Sequence, residues 1–221
     1  MGEIKEIMEM KAFFDMRAKE YDTVHPAMIG GGMESKNLIA HFLGEDTKRL
    51  VDFGCGTGLE LKEIFKRFPH ITVTGIDLSQ GMLDKLKEKY ETQNITLIQG
   101  DYMVYDFGEN TFDGATSVMT MHHFNPAEKL TLYKKVYAAL TTNGRYVECD
   151  YMVMHQEEED FFFSEYEKIK LSQGITQGYY HYDTPCTVAN QKKLLKEAGF
   201  SKVEEVWHKE QNVILIAYKE A

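Results

Sequence analysis

Leu50-Val51-Asp52-Phe53-Gly54-Cys55-Gly56-Thr57-Gly58-Leu59-Glu60 is an apolar run that reaches an acid and then breaks into glycines at every second position. Val51 and Phe53 suit a strand interior. Gly54, Gly56 and Gly58 remove Cβ atoms where the backbone has to turn and a ligand has to approach closely. A helix over about residues 59–68 then presents free N–H groups and its positive dipole end to the turn. The stretch reads as a buried strand, a tight turn and a helix start, built to hold a polar small molecule.

The spacing is Gly-x-Gly-x-Gly, not the Gly-x-Gly-x-x-Gly that makes room for a dinucleotide pyrophosphate. Asp52, beside the helix start, would repel a pyrophosphate and attract an ammonium, which points to an amino-acid-like ligand. The next strand, Ile71-Thr72-Val73-Thr74-Gly75-Ile76-Asp77-Leu78-Ser79, also ends in an acid, about 20 positions after the turn. A carboxylate there is placed to accept both hydroxyls of a ribose. Ser79 reads as the N-cap of a helix over about 80–90.

On these residues the chain resembles the class I S-adenosylmethionine-dependent methyltransferases. Residues 51–58 carry the family's first motif and Asp77 its ribose acid. Ile98-Gln99-Gly100-Asp101-Tyr102 carries the third motif, and Phe112-Asp113-Gly114-Ala115-Thr116-Ser117-Val118-Met119 the fourth, leading into Met121-His122-His123-Phe124. The resemblance implies S-adenosyl-L-methionine as cofactor, with S-adenosyl-L-homocysteine as product. It also implies a doubly wound, Rossmann-like α/β fold, whose seven-stranded sheet is mostly parallel, of order 3-2-1-4-5-7-6, with an antiparallel C-terminal hairpin strand. The cofactor contacts it implies are Asp52, Gly54, Cys55, Gly56, Gly58, Asp77, Leu78, Met82, Asp101, Tyr102 and Ser117. Among them Asp52 would orient the turn and the ligand's ammonium, and Asp101 would bond the adenine amino group between walls of Tyr102 and Leu78. The alternative for Asp101 is the N-cap of a short turn.

Outward from the motifs the pattern alternates. A helix over about 33–43 precedes the strand at 48–53, and further strands follow at about 71–76, 95–99, 112–118 and 145–150, with helices at about 80–90 and 126–140. Thr141-Thr142-Asn143-Gly144 supplies helix stop signals. A helix over about 188–198, ended by Gly199, leads to strands at about 203–207 and 213–218 that can form a hairpin. This alternation predicts a parallel sheet covered on both faces, in a single domain over residues 1–221.

Two segments stand outside the alternation. In residues 1–32, Ile4, Ile7, Met8, Met10, Phe13 and Phe14 recur at helical spacing toward Tyr21, and Gly30-Gly31-Gly32 reads as a hinge. The resemblance makes this segment a lid with Tyr21 near the reacting centre, whereas the residues alone equally allow a helix packed on the core with Tyr21 as anchor. Residues 155–187 are more than a connection needs, and they follow a strand end on the ligand side of an open α/β sheet. This insertion is expected to cover the acceptor. Phe161, Phe162 and Tyr166 read as a packing face, and 179–183 is the part expected to touch substrate.

A chain of 221 residues with a formal charge of −10 is ample for one core and disfavours nucleic acid as partner. No apolar run is long enough for a bilayer and no signal-peptide core appears, so a cytoplasmic protein, monomer or homodimer, acting on a small-molecule acceptor is expected. Cys55, Cys149 and Cys186 form no Cys-x-x-Cys pair and suggest neither a disulfide framework nor a zinc ribbon. Cys55 reads as a small residue in a crowded turn, with a helix-end thiolate as the alternative.

Methyl transfer from a sulfonium needs chiefly alignment and exclusion of water, and a base only where the acceptor must lose a proton. The candidate catalytic residues are His123 and His122, with Tyr21; the alternative for the histidine pair is a structural role. Candidate substrate contacts are Tyr179, His181 and Asp150, the last sharing a strand face with Glu148, where an amine or a basic side chain would fit. Met119, Met121, Met152 and Met154 read as acceptor-pocket lining or as core filler. No metal is expected: His122, His123, His181, Asp183 and His25 lack helical His-x-x-x-His spacing and would have to converge from distant segments. The absence of an Asn-Pro-Pro-Tyr type motif after the fourth strand favours a small metabolite over adenine or glutamine N-methylation. The alternatives are a non-catalytic cofactor-binding regulator, and a relative using the cofactor for carboxyl transfer.

Overall fold

The computed structural model describes residues 6–24 and 30–220. In chain order these form α1 (Met10–Arg17), α2 (Tyr21–Val24), α3 (Gly32–Phe42), β1 (Arg49–Phe53), α4 (Leu61–Arg67), β2 (Thr72–Asp77), α5 (Gln80–Lys89), β3 (Ile95–Gln99) and β4 (Phe112–Val118). A 3₁₀ turn at Met121–His123 follows, then α6 (Pro126–Ala139), β5 (Leu140–Tyr151), α7 (Gln156–Ser172), α8 (Val188–Glu197), β6 (Lys202–Lys209) and β7 (Asn212–Tyr218).

The strands make one seven-stranded sheet of order β3-β2-β1-β4-β5-β7-β6. β1 pairs in parallel with β2 and β4, β2 with β3 and β4 with β5, while β7 runs antiparallel to both β5 and β6. Alternation along β1 divides the core. Leu50 points to the face where Ile39 of α3, Leu43 just past it, Ile64 of α4 and Leu86 of α5 are buried, and Val51 and Phe53 point to the face covered by Leu132 and Val136 of α6 and Leu195 of α8. A strand covered on both sides needs apolar residues at both parities, and β7, Asn212–Tyr218, is buried along nearly its whole length. The edge strand β6 is instead half-buried or exposed along its whole length and carries Lys202, Glu204, Glu205 and Lys209. Among the described residues no helix is long and apolar enough to cross a membrane.

Three expected boundaries are corrected. The N-terminal helix is α1 alone, followed after a turn by the short α2, because Glu9 caps it by accepting from the Ala12 N–H and itself pairs in antiparallel fashion with Tyr180. Ile4 and His25 lie outside the described residues. The helix after the glycine turn starts at Leu61 rather than 59, since the Gly58 N–H is spent on the Cys55 carbonyl within the turn. The helix α6 ends as expected, but β5 begins at once at Leu140, with a register shift against β4 and Asn143 in the left-handed region at φ 67°.

Candidate active site

The carboxyl ends of β1, β2 and β4 open on one side of the sheet, where the chain changes direction. Gly54 and Gly56 adopt φ of 66° and 48°, the left-handed region open to glycine at little cost. A Cβ on Gly54 would stand 2.5 Å from Thr120 Oγ1, whereas one on Gly56 would meet nothing within 4 Å and would project into open space beside the turn. Asp77 braces the turn: Oδ2 accepts the Gly56 N–H at 2.9 Å and Oδ1 the Ser79 N–H at 2.8 Å. Burial raises its pKa to about 6, against the lowering effect of those donors. Ser79 caps α5 as its position suggested, accepting from the Met82 N–H.

A cleft at the turn is lined by Gly54, Cys55, Gly56, Gly58, Glu60 and, from α3, Lys36. Lys36 Nζ, Glu60 Oε1 and Asp52 Oδ2 are each buried with no hydrogen-bond partner among the described residues. Burial first, and then the charge of Glu60, holds Asp52 well above the usual carboxylate range, and burial raises Glu60 too. Orphaned carboxylate oxygens beside an orphaned ammonium complement an ammonium and a carboxylate carried on one carbon, which is the donor set an α-amino acid requires. Sequence reasoning missed Lys36 and passed over Glu60. The signal for Lys36 was there: it shares a helical stripe with Ile39, Ala40 and Leu43, so a cation stands on the buried face.

A second, narrow cavity of about 40 Å³ is walled by Asp77, Leu78, Asp101, Tyr102 and also Tyr179. The Asp101 side chain accepts from Met103 N–H at 2.8 Å, the turn-capping arrangement, while still facing this cavity; Tyr102 OH lies 2.9 Å from Thr120 Oγ1.

The third cavity is the largest of these three, about 410 Å³: the aromatic rings of Phe13, Phe14, Tyr21 and Tyr151 and the imidazoles of His123 and His181 line it, with Arg17, Met119 and polar groups such as Glu210 and Asn212. Met119, with φ 55°, turns the chain after β4 and sends His122 and His123 toward this space. His122 Nδ1 lies 2.6 Å from Asp150 Oδ1. Burial opposes a charged imidazole, but the Asp150 carboxylate, aided by Asp183, outweighs it and raises the His122 pKa. Burial, with Asp77, Glu60 and Asp22 adding, pushes the Tyr21 phenol far up, so it stays protonated at neutral pH.

Both segments outside the alternation cover these cavities. Met10 N–H donates to Tyr179 O at 2.8 Å and His181 N–H to Met8 O at 2.9 Å, joining the N-terminal segment to the 179–181 stretch, while the Phe13 and His181 rings stack with centroids 3.5 Å apart. Asp15 accepts from Ser79 Oγ at 2.5 Å and Gly81 N–H at 3.2 Å, and Asp22 pairs with Thr57 and Lys89.

Several expected contacts are corrected. The Ser117 hydroxyl is turned to Tyr146 OH on the α6 side of the sheet, and Met82 is buried on α5 and lines none of the three cavities. Cys55 keeps only its backbone toward the cleft; its sulfur packs over Gly75, and burial raises the thiol well above its usual range, which removes the thiolate reading. Tyr179 walls the narrow cavity, not the large one. Asp150 lies fully buried behind His122, and Glu148 is engaged with Gln191 in the core, its pKa raised to about 7 by burial and then by Asp150. Met121 and Met152 are core, Met154 is exposed, and Met119 alone of the four lines a cavity described here.

The sequence profile of a methyltransferase domain family matches residues 50–144. The chain is 31% identical over 147 residues to a demethylmenaquinone methyltransferase of Symbiobacterium thermophilum, covering 62% of this chain and 57% of that one. It is 26% identical over 196 residues to a carboxy-S-adenosyl-L-methionine synthase of Campylobacter fetus, covering 84% and 80%. Human N-acetylserotonin methyltransferase in complex with S-adenosylmethionine superposes with a TM-score of 0.68 at 14% identity, over 94% of this chain and 57% of that one, a likeness of fold. The chain thus spans a little over half the length of two of these three proteins.

Proposed function

The chain belongs to the class I S-adenosylmethionine-dependent methyltransferase family, and from that membership we propose that it methylates an oxygen, nitrogen or sulfur of a small-molecule acceptor. The observation that carries this reading is the sharing of walls between the cavities. Gly54 borders both the glycine cleft and the narrow cavity, Tyr21 both the cleft and the aromatic cavity, and Phe14 and His123 both the narrow and the aromatic cavities. One elongated ligand can therefore lie along the first two with its middle exposed to the third.

When bound, S-adenosylmethionine supplies an electrophilic methyl on a sulfonium. Lys36 would meet the ligand's carboxylate, Asp52 and Glu60 its ammonium, and Asp77 the ribose hydroxyls. Asp101, Leu78 and Tyr102 would bound the base. Tyr21, Phe14 and Phe13 would exclude water and align the acceptor. His123 is the side chain best placed to take a proton from the acceptor, and Asp150 would act through His122 rather than on substrate.

A second reading, carboxyl transfer onto the cofactor, draws support from the synthase relative, whose match spans 84% of this chain, and from Arg17, a cation for a carboxylate donor in the aromatic cavity. Calorimetric titration with S-adenosylmethionine and S-adenosylhomocysteine, then turnover in a metabolite extract with mass analysis of the nucleoside product, tests both. Release of S-adenosylhomocysteine is expected. A carboxylated cofactor would favour the second reading, binding without turnover a regulator, and no binding at all would end the family-based assignment of the site.

A further inference from the structure

Side chains from two separate segments meet at one oxygen on the wall of the aromatic cavity. Asp183 Oδ1 lies 3.5 Å from His122 Nε2, 3.7 Å from His123 Nδ1 and 3.9 Å from His181 Nε2. The oxygen is buried and has no hydrogen-bond partner among the described residues. One ligand atom each from His122, His123 and Asp183 fall within 4.8 Å of one another.

These separations are too long for hydrogen bonds, yet near those of atoms sharing an ion: around zinc, with bonds of about 2.0–2.1 Å, tetrahedral ligand atoms lie about 3.3–3.4 Å apart. The second argument comes from Asp150. Its fully buried carboxylate, 2.6 Å from His122 Nδ1, accepts the N–H of that nitrogen, so that in the neutral ring the Nε2 lone pair faces the Asp183 oxygen. Two acceptors held face to face need a cation between them. A further proton on His122 would serve that pair alone, whereas the approach of His123 and His181 to the same oxygen calls for a shared centre. A carboxylate behind a ligating histidine is also the usual support of a metal-bound imidazole. The two segments are held in register, since Thr184 N–H and Oγ1 both donate to the His122 carbonyl, at 2.7 and 3.0 Å.

We propose that His122, His123 and Asp183 bind one divalent transition-metal ion of the zinc type beside the aromatic cavity. A donor set dominated by imidazole suits such an ion and not magnesium or calcium, which take oxygen ligands. The side of the ion facing the cavity is open to an oxygen, nitrogen or sulfur of the acceptor; with the ion bound His123 is a ligand, and easing the acceptor's loss of a proton falls to the ion instead of to His123 as base. The site rests on these side chains and not on the methyl-transfer reading.

The test is calorimetric titration of the chelator-treated full chain with Zn²⁺, with Co²⁺ as a spectroscopic probe. One tight site per chain is expected, with the visible absorption of a nitrogen-rich, low-coordinate Co²⁺ centre. Asp183→Asn, at a part-exposed position, is expected to weaken Zn²⁺ binding by roughly tenfold or more, and Asp150→Asn, which keeps the ligands, by about 10–100-fold. His70→Ala, exposed elsewhere, serves as the control and is expected to bind as wild type. No Zn²⁺ binding by wild-type protein, or binding undiminished in both variants, overturns the proposal. S-adenosylmethionine titrated into the wild-type protein separates the two readings: no Zn²⁺ binding with cofactor binding kept overturns the metal site alone, and Zn²⁺ binding without cofactor binding overturns the cofactor assignment alone.

Discussion

Asp77 holds the glycine turn with two accepted N–H bonds while burial lifts its pKa to about 6. Only the ionised carboxylate has capacity left to accept two ribose hydroxyls, so ligand binding selects the deprotonated form. Affinity for S-adenosylmethionine is therefore expected to hold at pH values above about 6 and to fall below it by about tenfold per unit, measured by calorimetry across a pH series. A flat profile between roughly pH 7 and 5 would exclude this role. Asp77→Ala should weaken binding by about 1–3 kcal/mol. Lys36 makes the complementary case. A buried ammonium without a hydrogen-bond partner is unfavourable in the free protein, so Lys36→Met is expected to leave the melting temperature equal or higher while reducing cofactor affinity by about tenfold or more. A lower melting temperature with unchanged affinity would make Lys36 a structural residue.

The helix α1 and the 179–181 stretch act as one cover, stitched by backbone hydrogen bonds and held on the N-terminus of α5 by Asp15. The narrow cavity beneath, about 40 Å³, is smaller than a purine, so this cover has to shift before a nucleoside can enter. Asp15→Ala removes the two hydrogen bonds it accepts from α5, along with the one from Lys11 within α1, at a half-buried site, a loss of about 1 kcal/mol. The expected result is about fivefold faster hydrogen exchange of the α1 amides and faster cofactor association, with the exchange of the sheet unchanged. If exchange in α1 does not respond, Asp15 is not what holds the cover down. The pairing of Glu9 with Tyr180 was not legible in the sequence, because helical spacing through Ile7 and Met8 hid a short extended stretch whose partner lies some 170 positions away.

The sheet is locked by its last strand. β7 enters between β5 and β6, and Leu215 lies fully buried with Val213 and Ala217 against the α6 and α8 side of the core. Leu215→Ala should cost about 2–5 kcal/mol in denaturant unfolding monitored by circular dichroism, with cofactor affinity unchanged in the protein that remains folded. A loss below about 1 kcal/mol would mean that the hairpin adds little to the stability of the whole. Alternation of strand and helix along the chain sets the parallel part of the sheet, whereas the strand order was what the family resemblance implied, and the interior place of Val213-Ile214-Leu215-Ile216 is seen in the packing.

By itself the sequence determined the glycine turn, the acid at the end of each of the first two strands, the helix cap at Ser79, and the alternation that makes the sheet. Each is a local matter, of φ angles, one helix end or a short period, and local rules suffice to read it. Tertiary structure alone decided which polar groups are left without partners. Lys36 faces Glu60 only because α3 packs beside the turn, Ser117 is lost to the site because alternation turns it toward Tyr146, and Asp183 reaches the histidine pair because Thr184 bonds to His122 across 62 positions of sequence. Charges and lone pairs interact through space, so their partners are fixed by packing and not by spacing along the chain.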